Sequence, residues 1–161
     1  KNIISQRTIT GITSTKKDSK VTLVGVKDRP GVAAEIFRPL SKNQINVDMV
    51  VQNISASSNT TDLTFTIKTD DLNKTIKLIK DNNKIYFKKL LIDKNVSKLS
   101  IIGVGMITTP GVSYRMFQAL AKKKINILVI STSEIKISVL ISKNNIKKAL
   151  SALHEEFISE K

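Results

Sequence analysis

The sequence repeats one plan, and this limits the possible folds more than any other feature. The stretch VTLVGVKDRPGVAAEIFRPL (21–40) predicts a strand, a Pro-Gly turn and a helix, and SIIGVGMITTPGVSYRMFQAL (100–120) follows the same order. Aligning Gly31 with Gly111 also aligns, at the same spacing of 80 residues, Phe37 with Phe117, Leu40 with Leu120, Ile45 with Ile125 and Asn46 with Asn126. The chain is therefore predicted to be an internal duplication of one small unit.

Hydrophobic periodicity predicts the elements of the first copy. VTLVGV (21–26) is typical of a buried strand, and apolar residues then recur at helical spacing from 32 to 40. Two further strands, a second helix and a last strand are predicted at 46–55, 61–68, 72–79 and 85–93. This βαββαβ order is that of a ferredoxin-like unit. We expect an α+β fold of two such units in tandem.

The second copy lacks its last strand. Strands are predicted at 99–104, 125–132 and 135–142, and helices at 112–120 and 146–157, after which only a few residues follow. An open sheet edge needs a cover, and the β-prone segment RTITGITST (7–15) has no place in the first unit. We therefore expect it to complete the second unit. The first domain (16–95) is then inserted into the second, which comprises 1–15 and 96–161.

Composition narrows the class of protein. At 161 residues and 40% hydrophobic composition, two small units must share their burial. The absence of cysteine excludes disulfides, thiolate metal sites and cysteine nucleophiles, and favours a cytoplasmic location. No apolar run approaches the roughly 20 residues of a membrane span, so no membrane partner is expected.

The net charge of +14 raises nucleic acid as a partner. Only four of the 27 basic residues are arginine, however, and base readout and phosphate recognition favour arginine. No aromatic stacking platform accompanies the lysines. We expect a solvated lysine-rich surface and no nucleic-acid partner. The competing nucleic-acid hypothesis predicts binding that collapses between about 50 and 200 mM salt.

The sequence offers no catalytic constellation. His154 has no neighbouring serine and aspartate in a recognisable triad, and neither glycine-containing turn contains the motif that cradles nucleotide phosphates. The 13 acidic residues show no metal-ligand spacing. We therefore predict no catalytic residue, no metal and no cofactor in this segment.

The turn that occurs twice is the remaining candidate site. Proline is favoured in the first turn of a helix, and Gly31 or Gly111 lets another group approach the backbone closely. The free N–H groups and the dipole of a helix start attract a carboxylate, while Asp28 would pair with an ammonium group. Together these groups match a free α-amino acid. The alternative reading is a tight turn with a solvated aspartate.

The same residues carry a resemblance to a family. VKDRPGVAAEIF, INVDMVVQNIS and TDLTFT, followed by PGVSYRMFQAL, INILVISTSEIKISVLI and ALHEEF, resemble the paired ACT domains of bacterial aspartate kinases, from about residue 8 to residue 157. The resemblance implies the C-terminal regulatory part of such an enzyme, or its separate beta subunit. Catalysis, with ATP and Mg, is then expected in a kinase domain or alpha subunit that phosphorylates aspartate.

The resemblance also implies effectors and partners. Lysine, threonine or both are expected to bind at the interface of a homodimer formed through the ACT domains, and to mediate feedback inhibition of lysine, threonine and methionine biosynthesis. The alternative is a tandem ACT sensor that regulates another amino-acid enzyme or acts alone.

Two pockets follow from the resemblance. The threonine-type pocket would use Asp28, Gly31, Ala33 and Gln52, with Asn126 and Ile127 of the partner subunit. The lysine-type pocket would use Met106, Val112, Ser113 and Ser133, with Asp48 from the other unit. Arg115 departs from the acidic residue of some relatives, which weakens the lysine assignment. Local roles compete with these: a strand hydrogen bond for Gln52, a turn for Ser133 and a surface lysine partner for Asp48.

Overall fold

The computed structural model describes residues 9–54, 58–103 and 111–158. Short 3-10 turns at Thr69–Asp71 and Lys143–Asn145 precede the second helix of each unit. The elements are, in order, β1 (Ile9–Ser14), β2 (Asp18–Lys27), α1 (Val32–Lys42), β3 (Asp48–Ile54), β4 (Thr60–Lys68), α2 (Leu72–Lys80), β5 (Lys89–Gly103), α3 (Val112–Lys122), β6 (Val129–Thr132), β7 (Lys136–Ser142) and α4 (Ile146–Phe157). The predicted α+β fold with two βαββαβ units is confirmed.

The chain divides into two compact units. The first is Lys17–Lys94, and the second joins the residues up to Lys16 with those from Asn95 onward. In the second unit, β1 pairs antiparallel with β5, so that Ile9 lies opposite Gly103 and Ser14 opposite Leu99. The N-terminal strand therefore lies at the edge for which the sequence predicted it.

The sheet of the first unit has the order β3-β4-β2, followed by the first part of β5. Leu63 of β4 lies between Leu23 of β2 and Gln52 of β3. Phe37 of α1 packs edge-on against Phe65, with ring centroids 5.2 Å apart. The buried core of this unit comprises Val21, Leu23, Val26, Val32, Ile36, Leu40, Ile45, Leu63, Phe65, Ile67, Leu72 and Ile79.

The sheet of the second unit follows the same plan, with the order β1-β5-β7-β6. Its strand β1 takes the place that the first part of β5 has in the first unit. The buried core comprises Ile9, Leu99, Ile101, Val112, Met116, Ala119, Leu120, Ile125, Ile137, Val139, Ile141, Ala149 and Leu153. The duplication in the sequence is thus a duplication of strand order and core.

Several predicted strand boundaries were wrong. The strand predicted at 125–132 is only Val129–Thr132, and the one predicted at 46–55 begins at Asp48. Ile45 and Ile125 precede these strands and are buried, but both lie in loops. The Ile45 N–H donates to the Leu40 carbonyl at 2.9 Å, and the Ile125 N–H donates to the Leu120 carbonyl at 3.1 Å. The strands predicted at 85–93 and 99–104 are one strand, β5, which begins only at Lys89.

Helices α1 and α3 are each followed, two residues after their last residue, by a residue in the left-handed conformation. Gln44 and Lys124 each have φ of 59°, although neither is glycine. A left-handed conformation costs a residue with a Cβ about 1 kcal/mol relative to glycine, and glycine is the preferred residue just beyond a helix end.

Lys124→Gly should therefore raise the free energy of unfolding by about 0.5–1 kcal/mol. Urea denaturation followed by circular dichroism measures this change. Lys123→Gly is the matched control, because Lys123 has φ of −95° and gains nothing from glycine. Equal effects of the two substitutions would show that the conformation of Lys124 carries no strain.

Candidate functional site

The connection from β2 to α1 is a tight turn at residues 29–32. The Val32 N–H donates to the Arg29 carbonyl at 3.1 Å, and Gly31 has φ 86° and ψ −1°. These are the features of a type II β-turn with proline second and glycine third. The prediction that Pro30 belongs to the first helical turn was wrong, because Gly31 is the N-cap and the helix begins at Val32.

The start of α1 is open to solvent. A Cβ placed on Gly31 would meet no heavy atom within 4 Å, so its conformation, and not crowding, requires glycine there. Ala33 and Ala34 are exposed, and their N–H groups have no acceptor in the part of the chain that the structure describes. The helix dipole adds positive potential at this end. The turn thus presents two unpaired donors, which suits a carboxylate.

Asp28 places a negative charge directly before this turn. Its backbone N–H donates to the Asn59 carbonyl at 2.8 Å, which ties the end of β2 to the start of β4. Its side chain is exposed and makes no hydrogen bond or ion pair with any residue that the structure describes. The only carboxylate in the first turn of α1, Glu35, is already bonded to Arg38 at 3.1 Å. Asp28 therefore has a carboxylate free for an ammonium group.

Gln52 lies in the C-terminal half of β3, the edge strand of the first unit's sheet. It is opposite Leu63, which is opposite Leu23, and both leucines belong to the core. Because residues directly opposite each other share a face of the sheet, Gln52 lies on the face that α1 covers. It is exposed because β3 is an edge strand. Asp28, Gly31 and Ala33 thus lie together at the turn, and Gln52 lies on the helix-covered face of the same sheet, level with Leu23.

The turn of the second unit repeats this geometry in part. Gly111 has φ 87° and ψ −4°, and a Cβ there would also meet nothing within 4 Å. Val112 is buried in the core, so only its backbone faces the turn, while Ser113 is half-buried. Met106 lies outside the described residues. The Ser133 N–H donates to the Lys136 carbonyl at 2.8 Å and closes the β6–β7 hairpin.

Other predicted residues are more dispersed. Asp48 belongs to the first unit, where its carboxylate accepts the Met49 N–H at 2.9 Å, and its opposite residue is Thr66. Because Thr66 follows the core residue Phe65 along β4, Asp48 lies on the other face from Gln52. In the connection between α3 and β6, exposed Asn126 and half-buried Ile127 follow the helix.

The Arg115 side chain is bonded to residues at the end of α4. Its Nε lies 2.7 Å from Glu156 Oε2, and its Nη2 donates to the Glu156 carbonyl at 2.8 Å. The guanidinium also lies 4.7 Å from the centre of the Phe157 ring. Its charge is therefore paired with a carboxylate of α4. This weakens the argument that Arg115 would repel a cationic ligand at the turn of the second unit.

Thr132, the counterpart of Gln52 in the second unit, is not among the residues that the sequence predicted for the second pocket. It stands 80 residues after Gln52 and lies opposite the core residue Ile137, as Gln52 lies opposite Leu63. The repeat spacing was the signal that would have found it. Thr132 is exposed on the edge strand β6 and is the counterpart of Gln52 in the second unit.

A metal-binding cluster and a membrane-spanning helix are both absent from the residues that the structure describes. Histidine, aspartate and glutamate side chains form no group of three or more that could hold a metal ion within the described ranges. In the same residues, no helix combines the length and the apolar composition that crossing a membrane requires.

Comparison with known proteins assigns the chain to a family. The ACT domain profile matches residues 21–82 and 99–157. The chain is 44% identical over 155 residues to the aspartokinase of Pseudomonas aeruginosa, an alignment that covers 96% of this chain and 37% of that protein. It thus spans little more than a third of the length of the curated relatives that it matches.

Solved structures agree with this assignment. The fold is similar to that of the ligand-free regulatory subunit of aspartate kinase from Thermus thermophilus, with a TM-score of 0.87, 33% identity, and coverage of 93% of this chain and 99% of that one. It is also similar to a chain in a structure of aspartokinase alpha and beta subunits, with a TM-score of 0.84, 36% identity, and coverage of 92% and 98%. The chain belongs to the ACT domain family, as a tandem ACT regulatory region of the aspartate kinases.

Proposed function

We propose that this chain is the amino-acid sensor of an aspartate kinase, and that threonine, lysine or both bind at its strand-to-helix turns. One observation carries the proposal: the Asp28 carboxylate, unpaired among the described residues, directly precedes the turn after which the Ala33 and Ala34 N–H groups are also unpaired. A free α-amino acid carries one ammonium and one carboxylate group, so the turn offers a partner to each.

In the first unit, the effector's carboxylate accepts hydrogen bonds from the start of α1, helped by the helix dipole. Its ammonium group pairs with Asp28, and the side-chain amide of Gln52 forms a hydrogen bond with the hydroxyl group of a threonine effector. Gly31 keeps this surface open, because no Cβ stands above the turn. Asn126 and Ile127 of the partner subunit are proposed to close the pocket in a homodimer.

The turn at Gly111 is proposed as the second, lysine-type site. Its glycine has the same left-handed geometry and the same open surface. Ser113 and Ser133 are proposed to hydrogen-bond the effector there, beside the buried Val112. The pairing of Arg115 with Glu156 is favourable, because an unpaired cation beside this turn would repel lysine.

Regulation follows if the effector contacts both chains of the dimer. It then stabilises one arrangement of the chains, with a typical coupling of about 1–3 kcal/mol. The kinase domain or alpha subunit that phosphorylates aspartate, with ATP and Mg bound there, responds to this arrangement. The result is feedback inhibition of lysine, threonine and methionine biosynthesis. The relatives' names, aspartokinase and regulatory subunit of aspartate kinase, support this partner.

Calorimetric titration of the chain with L-threonine, L-lysine and L-methionine, singly and in pairs, tests the proposal. We expect L-threonine to bind and D-threonine, the control, to give no heat. At 100 times its dissociation constant, an effector that binds only the folded state should raise the free energy of unfolding by about 2.7 kcal/mol. Light scattering in the same samples reports dimer formation. No heat from any of the three amino acids would contradict the proposed effectors.

A further inference from the structure

The connection between α2 and β5 forms hydrogen bonds with the turn of the first unit and with the residues on either side of it. Residues 82–86 of this connection bond to the residue before Asp28, to the first residue of the turn and to the first turn of α1. The three hydrogen bonds are Lys27 N–H to the Tyr86 carbonyl (3.0 Å), Arg29 Nη2 to the Lys84 carbonyl (2.8 Å) and Asn82 Nδ2 to the Glu35 carbonyl (2.9 Å). The connection is itself braced, since the Lys84 N–H donates to Asn82 Oδ1 at 3.0 Å.

Arg29 has two functions in this arrangement. Its backbone carbonyl accepts the Val32 N–H that closes the turn, while its guanidinium reaches across to Lys84. A longer contact joins Nη1 to the Pro30 carbonyl at 3.4 Å. Because Arg29 is exposed, these hydrogen bonds hold its side chain and hydrophobic packing does not. The turn is thus tied through one side chain to a separate segment of the same unit.

Such a tie matters because glycine occupies the third position of the turn. Gly31 populates positive and negative φ about equally readily, so the turn has other accessible conformations when nothing holds it. An effector binds only the conformation in which the Ala33 and Ala34 N–H groups face it. Its apparent affinity falls by the fraction of molecules in that conformation.

We infer that Arg29 is a positioning residue for the amino-acid site of the first unit. By fixing the turn to Lys84, it sets the direction of the N–H groups that receive the effector's carboxylate. This inference rests on the proposed function. Arg29 acts through the backbone of its own turn and needs no contact with the ligand.

Arg29→Met removes the donors and keeps most of the side-chain length. We expect it to weaken threonine binding about five- to tenfold, the factor that the loss of one ordinary hydrogen bond at an exposed site gives. Arg29→Lys keeps a donor that can reach a carbonyl and should restore part of the affinity. Arg38→Met is the matched control, because Arg38 is also exposed in this unit but, among the described residues, its side chain bonds to Glu35 alone. It should bind threonine like the wild type.

A second readout needs no ligand. Amide hydrogen exchange at Val32 reports opening of the turn, and it should be about five- to tenfold faster in Arg29→Met and unchanged in Arg38→Met. The inference is overturned if Arg29→Met leaves either the threonine affinity or the Val32 exchange rate unchanged. Weaker binding with unchanged exchange would place Arg29 against the ligand, and faster exchange with unchanged binding would separate the turn from the site.

The two proposals fail in different ways. If the wild-type chain bound no amino acid, the proposed function would be lost. Faster Val32 exchange in Arg29→Met would then still support the hold of Arg29 on the turn, whereas unchanged exchange would overturn it.

Discussion

Replacing Asp28 with alanine should abolish measurable threonine binding and leave the fold intact. The ammonium group of the ligand loses its counter-charge, and leaving one partner of such a pair without the other costs about 2–5 kcal/mol, or at least thirtyfold in affinity. The free energy of unfolding should change by less than about 0.5 kcal/mol, because the Asp28 carboxylate is exposed and unpaired among the described residues. Calorimetric titration and urea denaturation measure the two quantities.

Asp70→Ala is the control for this substitution. Asp70 is an exposed aspartate of the same unit in the 3-10 turn that follows the end of β4, whereas Asp28 is bonded to Asn59 just before the start of β4. It removes the same charge and should leave threonine binding unchanged. A wild-type titration curve from Asp28→Ala would remove Asp28 from the site, and equal losses from both variants would reduce its role to net charge.

Deleting residues 1–15 should unfold the second unit and leave the first one folded. The deletion removes β1, exposes the unpaired edge of β5 and opens the core beside Ile9, which is 8% exposed. The bonds between Thr15 and Lys98 are lost as well. Burial of one isoleucine alone contributes about 1.5–3 kcal/mol, and the lost strand pairing adds to this. A small unit does not retain its fold after such a loss.

Hydrogen exchange with mass spectrometry tests this result unit by unit. Protection should disappear from β7 and from the second part of β5, and persist in β2 and β4. Deletion of residues 1–8 is the control, because it leaves β1 in place. Retained protection of β7 after the longer deletion would show that β1 is dispensable, and that the second unit is complete without the N-terminal segment.

Repeat spacing and hydrophobic period predict most of this fold. The alignment of Gly31 with Gly111 carries the element order from one unit to the other, and both glycines have nearly the same left-handed φ. Strand ends are harder to predict, because an apolar pattern reports burial and not hydrogen bonding. Ile125 and Ile127 look like strand residues, yet they pack against the core from a loop. Only pairing partners define where β6 begins.

The residues of the candidate site likewise divide into those that the sequence predicts and those that only the structure reveals. Asp28, Gly31 and Ala33 are close in sequence, so one motif predicts them together. Gln52 joins them only through the register of β3 on β4, which the sequence does not state. The supporting bonds join Arg29 to Lys84 and Asn82 to Glu35, so they link the turn region to a segment about 50 residues away along the chain. Periodicity carries no information about such contacts.

Amide chemical shifts of the first turn test the sensor hypothesis most directly. A ¹⁵N-labelled chain is titrated with L-threonine, and the N–H signals of Ala33 and Ala34 are followed to saturation. We expect large shifts at these two amides, with a midpoint that matches the calorimetric dissociation constant. The Asp28→Ala chain should show none of them. Saturable binding that shifts amides elsewhere and leaves Ala33 and Ala34 unchanged would show that the amino acid does not bind at this turn.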